Sequence, residues 1–337
     1  MKPASPSVGN CSAEPQAPSS LGHSFGKRAT LTAAALLAMA ALSAAIAPPA
    51  VHYFLTSAAI WAIFALGFDL AFGVAGLLSF GHSVFFAAGG YLAALLTMLA
   101  GIPMSGAIPL AGLSAGILAA LVGMLALRMS GVYLGLTTLA VSQLFETLVA
   151  VRLRAYTGGM EGLVGVARPA IFGHVLDDDR SYFLFVFAIF MMVLGASALL
   201  RQSHWGRGLV AMRINEVRAQ QLGFNTLRLK ISAFAASGAI SGVAGALLAS
   251  LMRFVNPEIL SWTISGDVLI ATLIGGAGTL LGPALGALLM SCLREVLGGM
   301  TTHWHGLLGV VLIVFTLWVP NGLAPAVQGL VRKLRNG

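Results

Sequence analysis

The side chains able to act on a solute are few, and they interrupt apolar runs. Asp69, Glu146 and Asp267 lie inside hydrophobic stretches, and His82 stands at the head of one. A carboxylate or an imidazole so placed suits a proton or cation path, or a polar contact for a solute in passage. An Asp at the centre of an apolar helix costs about 2.5–3.5 kcal/mol on insertion scales. Such groups usually face a bundle interior or a water-filled route. The plainer use of each is a hydrogen bond to a neighbouring helix, and residue type leaves both uses open.

Catalytic patterns are missing. GHSFGKR at 22–28 has the lysine of a phosphate-binding loop but one residue too few between its glycines, and Arg28 stands where Ser or Thr is needed. GGAGTLLG at 275–282 does not match G-x-G-x-x-G. His303-Trp304-His305 sets two imidazoles together with no third ligand nearby, which makes a poor metal site. There is no H-E-x-x-H, and Cys11 and Cys292 lie far apart. No catalytic centre, metal or cofactor is expected.

The elements that must position these side chains follow from composition. Hydrophobic residues make up 58% of the 337 and charged residues 9%, with a mean hydropathy of +0.91. Water-soluble domains carry about 25% charged residues, so lipid is the natural solvent. The net charge of +8 then reads as basic cytoplasmic loops rather than as a nucleic-acid surface.

Apolar runs fall at 29–47, 51–72, 84–100, 107–127, 132–151, 182–200, 231–252, 264–276, 280–297 and 306–320, with 264–276 the shortest. Each must be helical, because an isolated segment in lipid can satisfy its backbone only internally. The expected architecture is an all-α polytopic membrane bundle of about ten transmembrane helices, some broken.

Residues 1–26, rich in Pro, Ser and Gly, read as a disordered tail. Ala45-Ile46-Ala47 imitates a signal-peptide cleavage site, but the long polar tail and Pro48 favour an uncleaved first span. Lys27 and Arg28 place the N-terminus in the cytoplasm. The loop 152–181 falls outside, with Arg152, Arg154, Arg168 and Arg180 balanced by Glu161, Asp177, Asp178 and Asp179. The segment 201–230 falls inside, with Arg201, Arg207, Arg213, Arg218, Arg228 and Lys230 against Glu216 alone, and Arg332, Lys333 and Arg335 also belong inside. Both termini are therefore expected in the cytoplasm. The expected domains are the tail 1–26, a transmembrane domain 27–323 and a basic tail 324–337.

Three local features add detail. Gly112-xxx-Gly116, Gly238-xxx-Gly242 and Gly282-xxx-Gly286 have the spacing that lets membrane helices approach closely. GVAGLL at 73–78 echoes GGAGTL at 275–280. GLVAMRINEVRAQQLGFN in the basic segment reads as one or two short amphipathic helices, with Leu209, Met212 and Val217 as an apolar stripe. It would rest on anionic lipid or dock a cytoplasmic protein.

From about residue 51 to 323 the chain resembles the permease subunits of branched-chain amino acid ABC transporters, LivM type. The blocks that carry the resemblance are FDLAFGVAGLLSFGHSVFFAAGGYLAALL, SGVYLGLTTLA, TGGMEGL, GRGLVAMRINEVRAQQLGFNTLRLK, FVNPEILSWTISGDVLIATLIGGAGTLLGP and PNGL, in that order. It implies one half of an importer in a bacterial inner membrane, working by ATP-driven alternating access. Its partners would be a second permease, two cytoplasmic ATPases and a periplasmic binding protein, with membrane lipid around it and no nucleic acid. Arg213, Glu216, Ala219 and Gly223 would lie at the ATPase contact.

There are departures. Asp69 stands where the family commonly has Asn, Glu161 replaces Asn or Asp, and Gln143 appears where Glu is expected, with Glu146 one turn later. These leave the substrate open, since relatives of this shape import urea or short amides. A stand-alone secondary transporter or channel is the rival of another class, disfavoured by the scarcity of intramembrane carboxylates.

On this resemblance, GVAGLLSFGHSVFFAAGG at 73–90, with its five glycines, marks a span that breaks or helices that close in beside a path. Gly76 and Gly81 would shape it. Asp69 and His82 would present polar groups to it or lock the broken segment.

Overall fold

The computed structural model describes residues 48–171 and 174–300, with Gly306, Gly309, Gly322 and Leu323. The expected first span, nearly all of the run 306–320, His303, Trp304, His305 and both tails lie outside the described residues.

The helices are α1 (Pro49–Asp69, continued by a π-helical turn over Leu70–Val74), α2 (His82–Leu99), α3 (Met104–Ala126), α4 (Val132–Thr147, continued by a π-helical turn over Leu148–Arg152) and α5 (Asp179–Gln202). They are followed by α6 (His204–Ile214), α7 (Glu216–Gln221), α8 (Thr226–Met252), α9 (Trp262–Gly275) and α10 (Gly282–Met300). Among the described residues six helices are long and apolar enough to cross a membrane: α1, α2, α3, α4, α5 and α8, with α9 a shorter apolar helix. The protein is thus mostly helical and multi-pass. Two short ladders lie in the connections between the helices: Leu163–Val164 pairs antiparallel with Phe254–Val255, and Ala170–Ile171 with His174–Val175. These two-residue ladders satisfy backbone groups in the connections, which no helix covers.

α8 is the hub, packed on α1, α2 and α3. The spaced glycines make this possible. Gly112 and Gly116 of α3 lie on Val243 and Ala239 of α8, while Gly238 and Gly242 of α8 lie on Ala119 and Ala115 of α3. Buried Phe64, Phe68, Phe85, Phe86 and Phe234 fill the space between α1, α2 and α8. The outward faces of α3 (Leu110, Leu113, Ile117, Leu121, Leu125) and α5 (Leu184, Met192, Leu199) are apolar and exposed, as helix faces toward lipid must be.

The balanced charges of the 152–181 loop are partly paired off. Arg168 meets Asp179 at 2.7 Å, and Asp177 meets Arg253, just past α8, at 2.7 Å. The basic segment folds as two short helices. Ser203 caps α6 by accepting from the Gly206 N–H, and Asn215 caps α7 by accepting from the Arg218 N–H at 2.9 Å. The expected stripe is split: Leu209 and Met212 are buried, whereas Val217 is exposed. Asn215 leaves helical geometry, so α7 starts a new helix and Val217 no longer follows the face set by α6.

Candidate functional site

After the π-helical turn of α1 the chain leaves helical geometry over 75–81, with Gly76 at φ +76°, and α2 starts at His82. Hydroxyls satisfy the backbone freed by this break. Ser79 accepts from the Gly81 N–H (3.2 Å), Thr138 of α4 from the Phe80 N–H (3.0 Å) and Ser265 of α9 from the Ser83 N–H (2.9 Å). The Ser83 and Ser142 hydroxyls converge on the Leu260 carbonyl at 2.9 and 2.6 Å. All five hydroxyl residues are buried. The starts of α2 and α9 are therefore stitched to each other and to α4, which is how non-helical backbone is tolerated inside a membrane protein.

His82 is fully buried, with its ring edge-on to Phe68, Phe85 and Phe234 at centroid distances of 4.9, 5.5 and 5.2 Å. Its Nε2 lies 2.8 Å from the Ser237 hydroxyl, which donates to the Gly67 carbonyl at 2.6 Å. Because the serine proton goes to Gly67, Nε2 is the donor in the first bond. His82 thus joins α2 to α8 and, through Ser237, to α1. Replacing Ser237 by alanine leaves the His82 N–H buried without its acceptor. The expected loss is about 1–3 kcal/mol, read as a lower thermal midpoint of the chain in detergent; an unchanged midpoint would show that the bridge carries no stability.

Asp69 is also fully buried, at the far end of α1. Its Oδ2 receives Arg201 of α5 at 2.6 Å, and its Oδ1 receives the Gly278 N–H at 2.7 Å. Arg201 also donates to the Gly278 carbonyl at 2.9 Å. Gly73 lies so close that a Cβ there would overlap the carboxylate and the Gly278 N–H. Arg213 of α6 donates to the Gly73 carbonyl, and its side chain covers Gly76. The two echoing segments, 73–78 and 275–280, therefore meet at this carboxylate, and Gly278 has φ +81°, close to that of Gly76.

The remaining candidates are placed as follows. Gly81 precedes α2 and sits against the Thr138 backbone. Asp267 pairs with Arg294 of α10 at 2.7 Å, and that guanidinium lies 4.7 Å over the Trp61 ring. Glu146 accepts from the Gln143 side chain at 3.0 Å on α4. Glu216 pairs with Lys230 at 2.7 Å, Ala219 is buried, and Gly223 follows α7 at φ +87°. Among the described residues no group of three metal-ligating side chains exists.

The family model for the permease component of branched-chain amino acid transport systems matches residues 50–317. The chain belongs to this permease family. It is 30% identical to the high-affinity branched-chain amino acid permease protein LivM of Escherichia coli K12, over 82% of this chain and 70% of that one. It is also 30% identical to LivM of Salmonella typhimurium, over 84% and 71%. The permease protein LivH of Escherichia coli K12 is 24% identical over 80% of this chain and 92% of its own length. No solved structure matches significantly.

In this permease the hydroxyl stitching and the Arg201 and Gly278 partners of Asp69 do not stand out from residue type. Arg201 reads as one more basic residue of a cytoplasmic connection. The signal that points to Gly278 is the echo of 73–78 in 275–280.

Proposed function

We propose that this chain is one permease subunit of an ABC importer that carries branched-chain amino acids across a bacterial inner membrane. The observation that carries this reading is the family match across residues 50–317. In this reading the complex holds a second permease, two cytoplasmic ATPases and a periplasmic binding protein, and the chain crosses the membrane about ten times with both termini inside. Similarity to both LivM and LivH proteins supports a pair of related permeases.

The α6–α7 pair fits a docking element. Val210, Ile214, Val217 and Leu222 are exposed on it beside the basic Arg207 and Arg218. Arg213, Glu216, Ala219 and Gly223 hold its shape and its seat, Arg213 by gripping Gly73. ATP-driven movement of the docking pair would pass through Arg213 to the Asp69 cluster and so to the break at 75–81. Asp69, Gly76, Gly81 and His82 then act as the fixed frame of the route, because their contacts lock the broken segment.

The test is uptake of labelled leucine and labelled urea by cells with and without this chain, each with a protonophore under conditions that preserve ATP. Leucine uptake that depends on the chain and survives the protonophore is the expected result. Chain-dependent uptake of urea alone would move the substrate, and loss of the signal with ATP intact would overturn the ABC mechanism.

A further inference from the structure

The outward faces of α3, α4 and α5 differ in one respect. Those of α3 and α5 are apolar along their length, but the outward face of α4 carries exposed Gln143 and Thr147, with half-buried Glu146 at its margin. Glu146 lies six residues before Arg152, the last residue of the span, or about 9 Å inside that end at 1.5 Å per residue. A carboxylate and an amide at this depth are expensive against lipid, so this face of α4 looks onto protein or water.

No basic side chain among the described residues pairs with Glu146. Gln143 donates to one oxygen, Oε2, which orients the acid without neutralising it. Asp69, Asp267 and Glu216, by contrast, each have an arginine or lysine partner within the chain. The described residues thus supply no cation to Glu146. One turn earlier on the same helix, Ser142 holds the Leu260 carbonyl beside Ser83, so Glu146 stands next to the point where α2 and α9 begin.

We propose that Glu146, oriented by Gln143, receives the ammonium group of the amino acid as it passes along the outward face of α4. This rests on the amino-acid import reading above. A neutral amide or urea offers no such charge, so the same contact would favour an α-amino acid over them.

The experiment uses the whole importer in proteoliposomes, with ATP supplied, comparing wild type with E146Q, E146D and Q143A for labelled leucine import and for co-purification of all subunits. E146Q keeps the size of the side chain and removes its charge. It is expected to lower leucine import about tenfold or more per assembled complex, since hydrogen bonds to charged groups are among the stronger ones. E146D is expected to recover most of that loss, and Q143A to give a smaller one. Wild-type import by an assembled E146Q complex would overturn the proposal. So would loss of the second permease from E146Q with import per assembled complex unchanged, because Glu146 would then be an ion-pair partner between subunits. If E146Q does not accumulate, E146D and Q143A importing at the wild-type rate would overturn it equally. A wild-type complex that imports urea and not leucine would instead sink the reading on which the proposal rests.

Discussion

Arg201→Ala is expected to destabilise this chain more than Asp69→Asn, although the two substitutions break the same ion pair. The asymmetry follows from burial. The Asp69 side chain has no exposed surface, while that of Arg201 retains 15%. Removing the arginine leaves a sealed-in carboxylate with one hydrogen bond, from the Gly278 N–H, and the more distant charge of Arg213. Breaking a buried pair in this way typically costs about 3–5 kcal/mol. Asn at 69 removes the charge but keeps an oxygen for the Gly278 N–H, and Arg201 keeps the Gly278 carbonyl and some water. That loss should be nearer 1–2 kcal/mol, the scale of a weakened hydrogen bond. The check is the temperature at which each tagged variant loses its monodisperse peak in detergent. Equal midpoints for the two variants, or an Arg201→Ala midpoint at the wild-type value, would show that the pair does not hold the end of α1.

The consequence of this pair reaches further than stability. Asp69 binds the 275–280 segment, Gly73 is shaped to admit it, and Arg213 of the proposed docking helix grips Gly73. A displacement of α6 must therefore either carry the end of α1 with it or break these bonds. Buried polar clusters of this kind have discrete arrangements rather than a continuous range, which is what a two-state gate needs.

Hydrophobic runs announce α1 to α5, α8, α9 and α10 within a few residues, because a lipid-facing helix must be apolar over its length whatever it packs against. The break at 75–81 is also legible: Gly73, Gly76 and Gly81 crowd a region where a continuous helix would avoid glycine. What residue type does not reveal is pairing. Asp69 meets Arg201 across 132 positions of sequence, and arginine counts used for topology say nothing about which arginine turns inward. The five hydroxyls around Ser83 are silent for a related reason, since Ser and Thr can bond their own helix and carry no charge to draw notice. Val217 departs from the expected stripe because a single Asn at 215 restarts the helix and resets the face.

Gly89→Ala is expected to be among the most damaging small substitutions in the protein, and Gly195→Ala among the most harmless, although both add one methyl group to a membrane helix. A Cβ on Gly89 of α2 would lie within the Gly242 backbone of α8. Gly242 cannot retreat, because its other side rests on Ala115 of α3, and Gly245, one turn along, already touches the Phe86 carbonyl of α2. α8 is thus held between two helices at backbone contact, with no flexible side chain to give way. Overpacking a tight core costs about 1–3 kcal/mol and occasionally more; a clash with backbone on both sides belongs at or above the top of that range.

Gly195 of α5 has no neighbouring atom within 4 Å of the place a methyl group would take, so alanine there gains up to about 1 kcal/mol of helix propensity. The pair is read by expression level and by thermal midpoint in detergent. Loss for Gly89→Ala with no loss for Gly195→Ala is the expected outcome. A Gly89→Ala chain as stable as wild type would mean that α2 and α8 do not pack backbone to backbone, and the stitching of α2 to α8 through His82 and Ser237 would lose its foundation.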